Sequence, residues 1–350
     1  MATPIAALLN GRAGQVTAAV VRALRHALPD STILVSDDLE QARRHVRELI
    51  KERPEVVLCG GGDGTAVRLL NIWREEGGGE LPTLGILRLG TGNAWARAVG
   101  APRFSSHVRS LARLGSHPLP TQEFALIEVE NHLCHMAGVG WDARILSDYQ
   151  RNLDEHSAQI VSNPLAKWVH KGAGGYLYSL ANITIPEEWT RVHREGHVRV
   201  VLENLGPEIF GLDDGTATPL GAGPLYEGPL SVGAASSVAE WGYGLRAFPY
   251  ARLKPGFINV RIYGGHVADA LWNAPRLWRG LPVDGLHDWF ATAVRMRFSR
   301  PMPCQIAGDP LGERTEIAFR RARETVRLID WATWIPDSAA HAAKAARSGS

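Results

Sequence analysis

Residues 54–66 read PEVVLCGGGDGTA, an apolar run that stops against Gly60, Gly61, Gly62 and Gly64 with one acid, Asp63, and one hydroxyl, Thr65, among them. Residues 56–59 have the texture of a buried strand. The glycines clear side chains from the following turn, so that a ligand can come close to the main chain. Successive backbone N–H groups at a strand end, leading into a helix N-terminus, suit phosphate oxygens. The ending lacks the lysine and hydroxyl of a P-loop, and the spacing is not that of the dinucleotide fingerprint. A plain tight turn uses the same glycines.

The surrounding pattern supplies elements to hold this turn. Residues 5–9 read as a first strand, 10–15 as a polar glycine-containing loop and 16–28 as a helix. Residues 32–35 follow as a strand and 38–53 as a charged helix, acidic at its start and basic at its end. After the glycine turn, 66–73 continue as a helix, and 83–88 form a strand running into LGTGNAWARAVG. This alternation predicts a mostly parallel sheet covered on both faces, with function at the strand ends. From about residue 122 the texture changes to shorter strands, FALIEV, HLCHMAG, VRVVLEN and INVRIYG. Helix is expected within 150–180, residues 205–236 are glycine-rich and resist assignment, and 322–334 are expected to form a last helix before a small-residue tail.

A chain of 350 residues, 45% hydrophobic and 21% charged, has material for a substantial core and for two domains. The formal charge of only +2 carries no argument for nucleic acid, and no nucleic-acid partner is expected. Cys59, Cys134 and Cys304 follow no metal spacing, and reduced thiols in a cytoplasmic setting fit them best. The first residues do not have the make-up of a signal peptide, and no window is apolar enough to span a membrane. The expected location is therefore cytoplasmic, with any membrane contact peripheral and transient.

GGGDGTAVRLLN followed by PTLGILRLGTGNAWARAVG resembles the diacylglycerol kinase catalytic family of lipid kinases, with both motifs in the family's order. ALLNGRAG resembles its opening asparagine-proline loop, with Gly11 in the proline's place. GVGWDARI at 138–145 and GGYLYSL at 174–180 resemble later segments. The resemblance spans roughly residues 5–320 and is patchy after 180. It implies an α/β, two-domain lipid-kinase-like fold: an N-terminal three-layer α/β domain over 1–121, a β-sandwich-like substrate domain over 122–311, and a segment 312–350 that returns to the first domain.

The resemblance also implies cofactors and roles, namely ATP and Mg2+ held near the cleft. Gly61, Gly62, Asp63, Gly64 and Thr65 would line the phosphate site, with Asp63 orienting magnesium. Gly90, Thr91 and Asn93 would form a second nucleotide loop, although a turn and helix cap need the same residues. Asn10 would fix or contact the nucleotide, and Arg12 is either a ligand contact or a surface cation. Asp142 would join a metal-linked network or stabilise a turn. The family's base lies in an aspartate-glycine-glutamate motif, matched here by Ala307, Gly308 and Asp309 in MPCQIAGDPLGE. The first acid is absent, and Asp309 is the best candidate for the proton acceptor, with a simple turn as the alternative. The catalytic set is therefore Asp309 and Asp63, and the metal set Asp63, Asp142 and Asp309. In PYARLKPGFINV, Lys254 and Asn259 stand in a region where the family carries acids. Asp213 and Asp214 read either as stand-ins for those acids or as an ordinary Asx turn, and are kept outside the site.

The leading expectation is a kinase that transfers the γ-phosphoryl group of ATP to a lipid alcohol, diacylglycerol-like by family default. The arrangement admits a homodimer. A degenerate nucleotide- or lipid-binding protein, or a related small-molecule or NAD kinase, is the alternative. Trp141, Trp168, Tyr176, Tyr178, Trp241, Tyr243 and Phe248 supply aromatic surface in the second domain, where most aromatics serve packing.

Overall fold

Strand and helix periodicities alternate through the first hundred residues, and the computed structural model shows the elements they dictate. It describes residues 4–90, 92–115, 119–155, 178–213, 215–221, 223–242 and 244–334. The chain divides into two compact units, one comprising the described residues of Met1–Phe124 and Arg323–Ser350, the other those of Ala125–Ala322.

In the first unit, β1 (Ile5–Asn10), β2 (Thr32–Ser36), β3 (Val56–Gly61) and β4 (Thr83–Arg88) pair in parallel in the order β2-β1-β3-β4. β3 is buried throughout, as a parallel strand covered on both faces must be. Between the strands run α1 (Ala18–Ala27), α2 (Leu39–Glu52) and α3 (Asp63–Glu75), followed by the short α4 (Ala94–Ala98) and α5 (Phe104–His107). Thr17 caps α1 through its hydroxyl. Asp38 caps α2 by accepting from the Gln41 amide at 2.7 Å, while Gln41 accepts in return from the Asp37 amide at 2.8 Å. α3 begins at Asp63, three residues earlier than the helix read from the apolar spacing.

The second unit is mostly antiparallel. β5 (Thr121–Val129) carries the chain into it and turns back as β6 (His132–Cys134) through Glu130 and Asn131, both at positive φ. After β7 (Met136–Gly140) come α6 (Trp141–Glu155), a π-helical turn (Leu180–Thr184) and α7 (Ile185–Glu195). The expected helix within 150–180 is observed as far as Glu155, and the segment from 156 to 177 lies outside the described residues. The glycine-rich stretch 205–236 resolves into β9 (Ile209–Asp213), β10 (Thr216–Pro219), β11 (Pro224–Leu230) and β12 (Val232–Ser236), after β8 (Val198–Asn204). β13 (Ile258–Tyr263), α8 (Val267–Trp272), α9 (Ala274–Trp278), β14 (Leu286–Ala291), β15 (Ala293–Ile306) and β16 (Asp309–Ile329) complete it. One run of strands is ordered β10-β9-β14-β13-β12-β7-β15. β15 pairs with β8 over Val294–Phe298 and with β7 over Cys304–Ile306, with register shifts between. It bends where those irregularities fall.

The expected helix over 322–334 is a strand for most of its length. β16 continues to Ile329, and only residues 331–334 are helical. Ala322, Val326 and Leu328 are buried while Arg323 and Arg327 are exposed, a two-residue period that a helix would not satisfy. Leu328 pairs in parallel with Leu84 of β4, and the fully buried Trp331 packs edge-on to His107 within the first unit.

Candidate active site

The loops that follow β1, β3 and β4 converge at the carboxyl ends of their strands. The order β2-β1-β3-β4 reverses direction between β1 and β3, and open parallel sheets bind ligands at such a switch point. A cavity of about 220 Å³ opens here, lined by Asn10, Arg12, Asp37, Asp38, Thr65 and Arg68 among others. Asn10 reaches the Thr65 hydroxyl at 3.5 Å, while its Oδ1 accepts from the Arg12 amide at 3.0 Å and shapes the first loop. Gln15 donates to the Gly90 carbonyl at 3.3 Å, which ties the first loop to the third. Ser36, Asp37, Asp38 and Arg68 are additions to the residues read from the sequence. Arg68 was legible as one helical turn after Thr65, and the acids as the end of β2, a neighbour of β1.

The two glycine motifs touch directly. A Cβ at Gly90 would overlap the backbone of Gly61 and Gly62, and one at Gly61 would strike the Thr65 hydroxyl. A Cβ at Gly64 would meet only open space, so a ligand has room against the first turn of α3. The glycines thus serve two ends: close packing of loop on loop, and clearance at the helix N-terminus.

Asp63 lies between the second and third loops. It is 8% exposed, and its carboxylate accepts from the Ala94 amide at 2.7 Å and the Trp95 amide at 3.0 Å, so both oxygens cap the first turn of α4. This geometry fastens the third loop to the second. Asn93 is likewise turned inward. At φ 61° it closes its own loop, accepting from the Gly90 amide at 3.3 Å and donating to the Gly90 carbonyl. That is a turn-forming role. Thr91 lies outside the described residues.

In the second unit, a buried carboxyl stands beside a hairpin. Asp142 opens α6, 8% exposed, and its Oδ2 accepts from Gln305 Nε2 at 3.2 Å while its Oδ1 is buried without a partner. Burial pushes its carboxyl up to about 7, against smaller downward pulls from Gln305 and from the Ala143 and Asp142 amides. Gly138 makes the space, since a Cβ there would lie 2.6 Å from Asp142 Oδ2. Gln305 Oε1 also accepts from the Gly308 amide at 2.9 Å, coupling the acid to the β15–β16 turn. That turn has Ala307 and Gly308 at its centre, both at positive φ, the type I′ pattern. Asp309 is the first residue of β16 and exposed; it is not part of the turn itself.

The departures at 249–260 also have structural partners. Lys254 Nζ lies 3.5 Å over the Phe210 ring, and the buried Asn259 donates to Asp288 at 3.0 Å beside the Arg261–Asp288 ion pair. The cysteines are buried free thiols. Among the described residues no three His, Cys, Asp or Glu side chains gather as a metal site. Magnesium commonly needs only one or two carboxylates when phosphates complete its shell, so a metal carried by a nucleotide is compatible with these loops. No described helix is long and apolar enough to cross a membrane.

Comparison with known proteins agrees with this arrangement. The diacylglycerol kinase catalytic domain family matches residues 4–121. A Klebsiella pneumoniae protein named "Probable lipid kinase YegS-like" is 24% identical over 88% of this chain and 90% of its own length. An Enterobacter protein of the same name is 31% identical, but the match spans only 37% of that protein and 32% of this chain. A solved structure of a diacylglycerol kinase from Bacillus anthracis has the same fold, with a TM-score of 0.57 and 15% identity over 94% of this chain and 97% of that one. The domain that carries the three converging loops thus belongs to the diacylglycerol kinase catalytic family.

Proposed function

We propose that the protein is an ATP-dependent kinase that phosphorylates the hydroxyl of a lipid, diacylglycerol being the default acceptor by family. The observation that carries this reading is the convergence of the Asn10, Gly61–Thr65 and Gly90 loops at the switch point of the parallel sheet, beside a cavity that Asn10, Arg12 and Thr65 line. The N-terminal turn of α3, which no side chain caps, and the Thr65 hydroxyl hold phosphate oxygens, and Arg12 and Arg68 balance their charge. ATP supplies the transferred γ-phosphoryl group, and magnesium arrives with its phosphates. Asp63 takes part by fixing the loops. On the acceptor side, the proton of the lipid hydroxyl passes to a carboxylate of the second unit, which we read as a lipid-kinase-type β-sandwich. Asp309 is the candidate by motif. Asp142 is the second candidate, because its Oδ1 is unpartnered and its ionisation sits near neutrality.

The test is transfer of labelled γ-phosphate from ATP to a pooled panel of diacylglycerols, sphingoid bases, prenols and NAD, with the products separated. A magnesium-dependent labelled lipid is the expected result and names the acceptor class. Labelled NAD redirects the acceptor, and ATP binding without product favours the binding-protein reading. Asp309→Asn is expected to lower kcat by about 100-fold or more with ATP affinity retained. Full turnover in Asp309→Asn with its loss in Asp142→Asn moves the base to Asp142.

A further inference from the structure

We infer that the α8–α9 segment of the second unit is a docking surface for an anionic lipid bilayer. Between residues 271 and 281 the chain exposes Leu271 (45%), Trp272 (88%), Trp278 (49%) and Leu281 (44%). Tryptophan is among the most buried side chains on average, and one left nine-tenths exposed beside three other large apolar groups is a patch in want of an apolar medium. α8 turns Val267 and Ala270 inward, while α9 buries no residue at all. The outward face is therefore surplus to the packing of the unit.

The segment is held rigidly at its base. His266 caps α8 by accepting from the Ala268 amide at 3.2 Å, its carbonyl accepts from the Tyr263 hydroxyl at 3.2 Å, and its ring meets Trp189 of α7 edge-on at 4.7 Å. At the far end, the Arg276 guanidinium donates to the Pro282 carbonyl at 2.9 Å and folds the chain back after α9. A short, anchored, two-helix projection with its tryptophans outward can enter a headgroup layer but is far too short to span a membrane.

Charge identifies the occupant. Arg276 and Arg279 are exposed on and just after α9, and the exposed Arg246 is joined to it by a bond from its amide to the Trp278 carbonyl at 3.2 Å. None of these arginines has a carboxylate partner among the described residues; the acids of the segment are Asp269 and Asp284. Guanidinium groups around indoles match a surface of lipid phosphates over an apolar interior, where arginine binds phosphate and tryptophan settles at the interface. A protein partner or a second copy of this chain would have no need of three cations without acidic partners around the same apolar tip.

The test is sedimentation of the full chain, without nucleotide, with vesicles of phosphatidylcholine alone and of phosphatidylcholine mixed with phosphatidylglycerol. The expected result is binding to the mixed vesicles, weakened by salt and weak or absent with the neutral ones. Trp272→Ala, and separately Arg246→Glu/Arg279→Glu, are expected to weaken it by about 10-fold or more. Trp272 makes so little contact that its loss leaves the melting temperature unchanged. No binding to either vesicle, or binding that both variants leave intact, overturns the inference. So does a concentration-dependent dimer that Trp272→Ala dissolves in a protein that ignores vesicles. Neither vesicle contains the sphingoid, prenol or diacylglycerol acceptors and no ATP is present, so this result is independent of whether the kinase reading holds.

Discussion

At the scale of single residues, the most consequential group is Asp63, whose two oxygens bind the amides of Ala94 and Trp95. Asp63→Asn puts an amide nitrogen against a backbone donor and is expected to destabilise the protein by about 1–3 kcal/mol and to weaken nucleotide binding. Thermal unfolding decides the matter: a residue that acts through magnesium alone would lose metal dependence with its melting temperature unchanged. Asp142 gives a pH signature. In the unfolded chain it ionises near pH 4, while in the folded protein it keeps its proton to about 7. Between those values the unfolded state binds fewer protons, so stability falls as pH rises from about 4 to about 7, by on the order of 4 kcal/mol, and is flat above. Chemical denaturation across that window should show the slope in the wild type and its loss in Asp142→Asn. The sequence announced both acids by type and motif, but not their tasks. Asp63 serves amides more than thirty residues away, and the surroundings of Asp142 are set by Gly138 and Gln305, which only the fold brings beside it.

At the scale of elements, the site depends on loops that fit one another. Gly90→Ala drives a methyl group into the Gly62 backbone, which has no side chain to move aside. A loss of about 2–3 kcal/mol and of nucleotide affinity is expected, measurable by denaturation and by titration with ATP. The β15–β16 turn offers the opposite case: Ala307 sits at φ 52°, where an L side chain is strained, so Ala307→Gly should stabilise by about 1 kcal/mol. The parallel half of the molecule was legible because its strands, caps and helices each follow their own period. The glycine-rich stretch that became β9 to β12 was not, since its strands are short and several of their residues face solvent. The misread helix at 322–334 has a related cause. Its charged residues allow a helical pattern, and only the burial of alternate positions shows that the strand wins.

At the scale of the whole molecule, the second unit is inserted into the first. The chain leaves along β5 and returns along β16, whose last residues pair with β4 and lead to the buried Trp331. A chain ending at residue 322 therefore lacks a strand and a core side chain of the first unit. It is expected to be unstable to mild denaturant even though every predicted phosphate-site residue is present, a result that circular dichroism and limited proteolysis would read. The same path bears on synthesis in the cell. The glycine loops leave the ribosome early, but the sheet that carries them is closed only after the whole inserted unit has been translated, so the nascent first unit must wait, with β4 open at its edge, for its last strand.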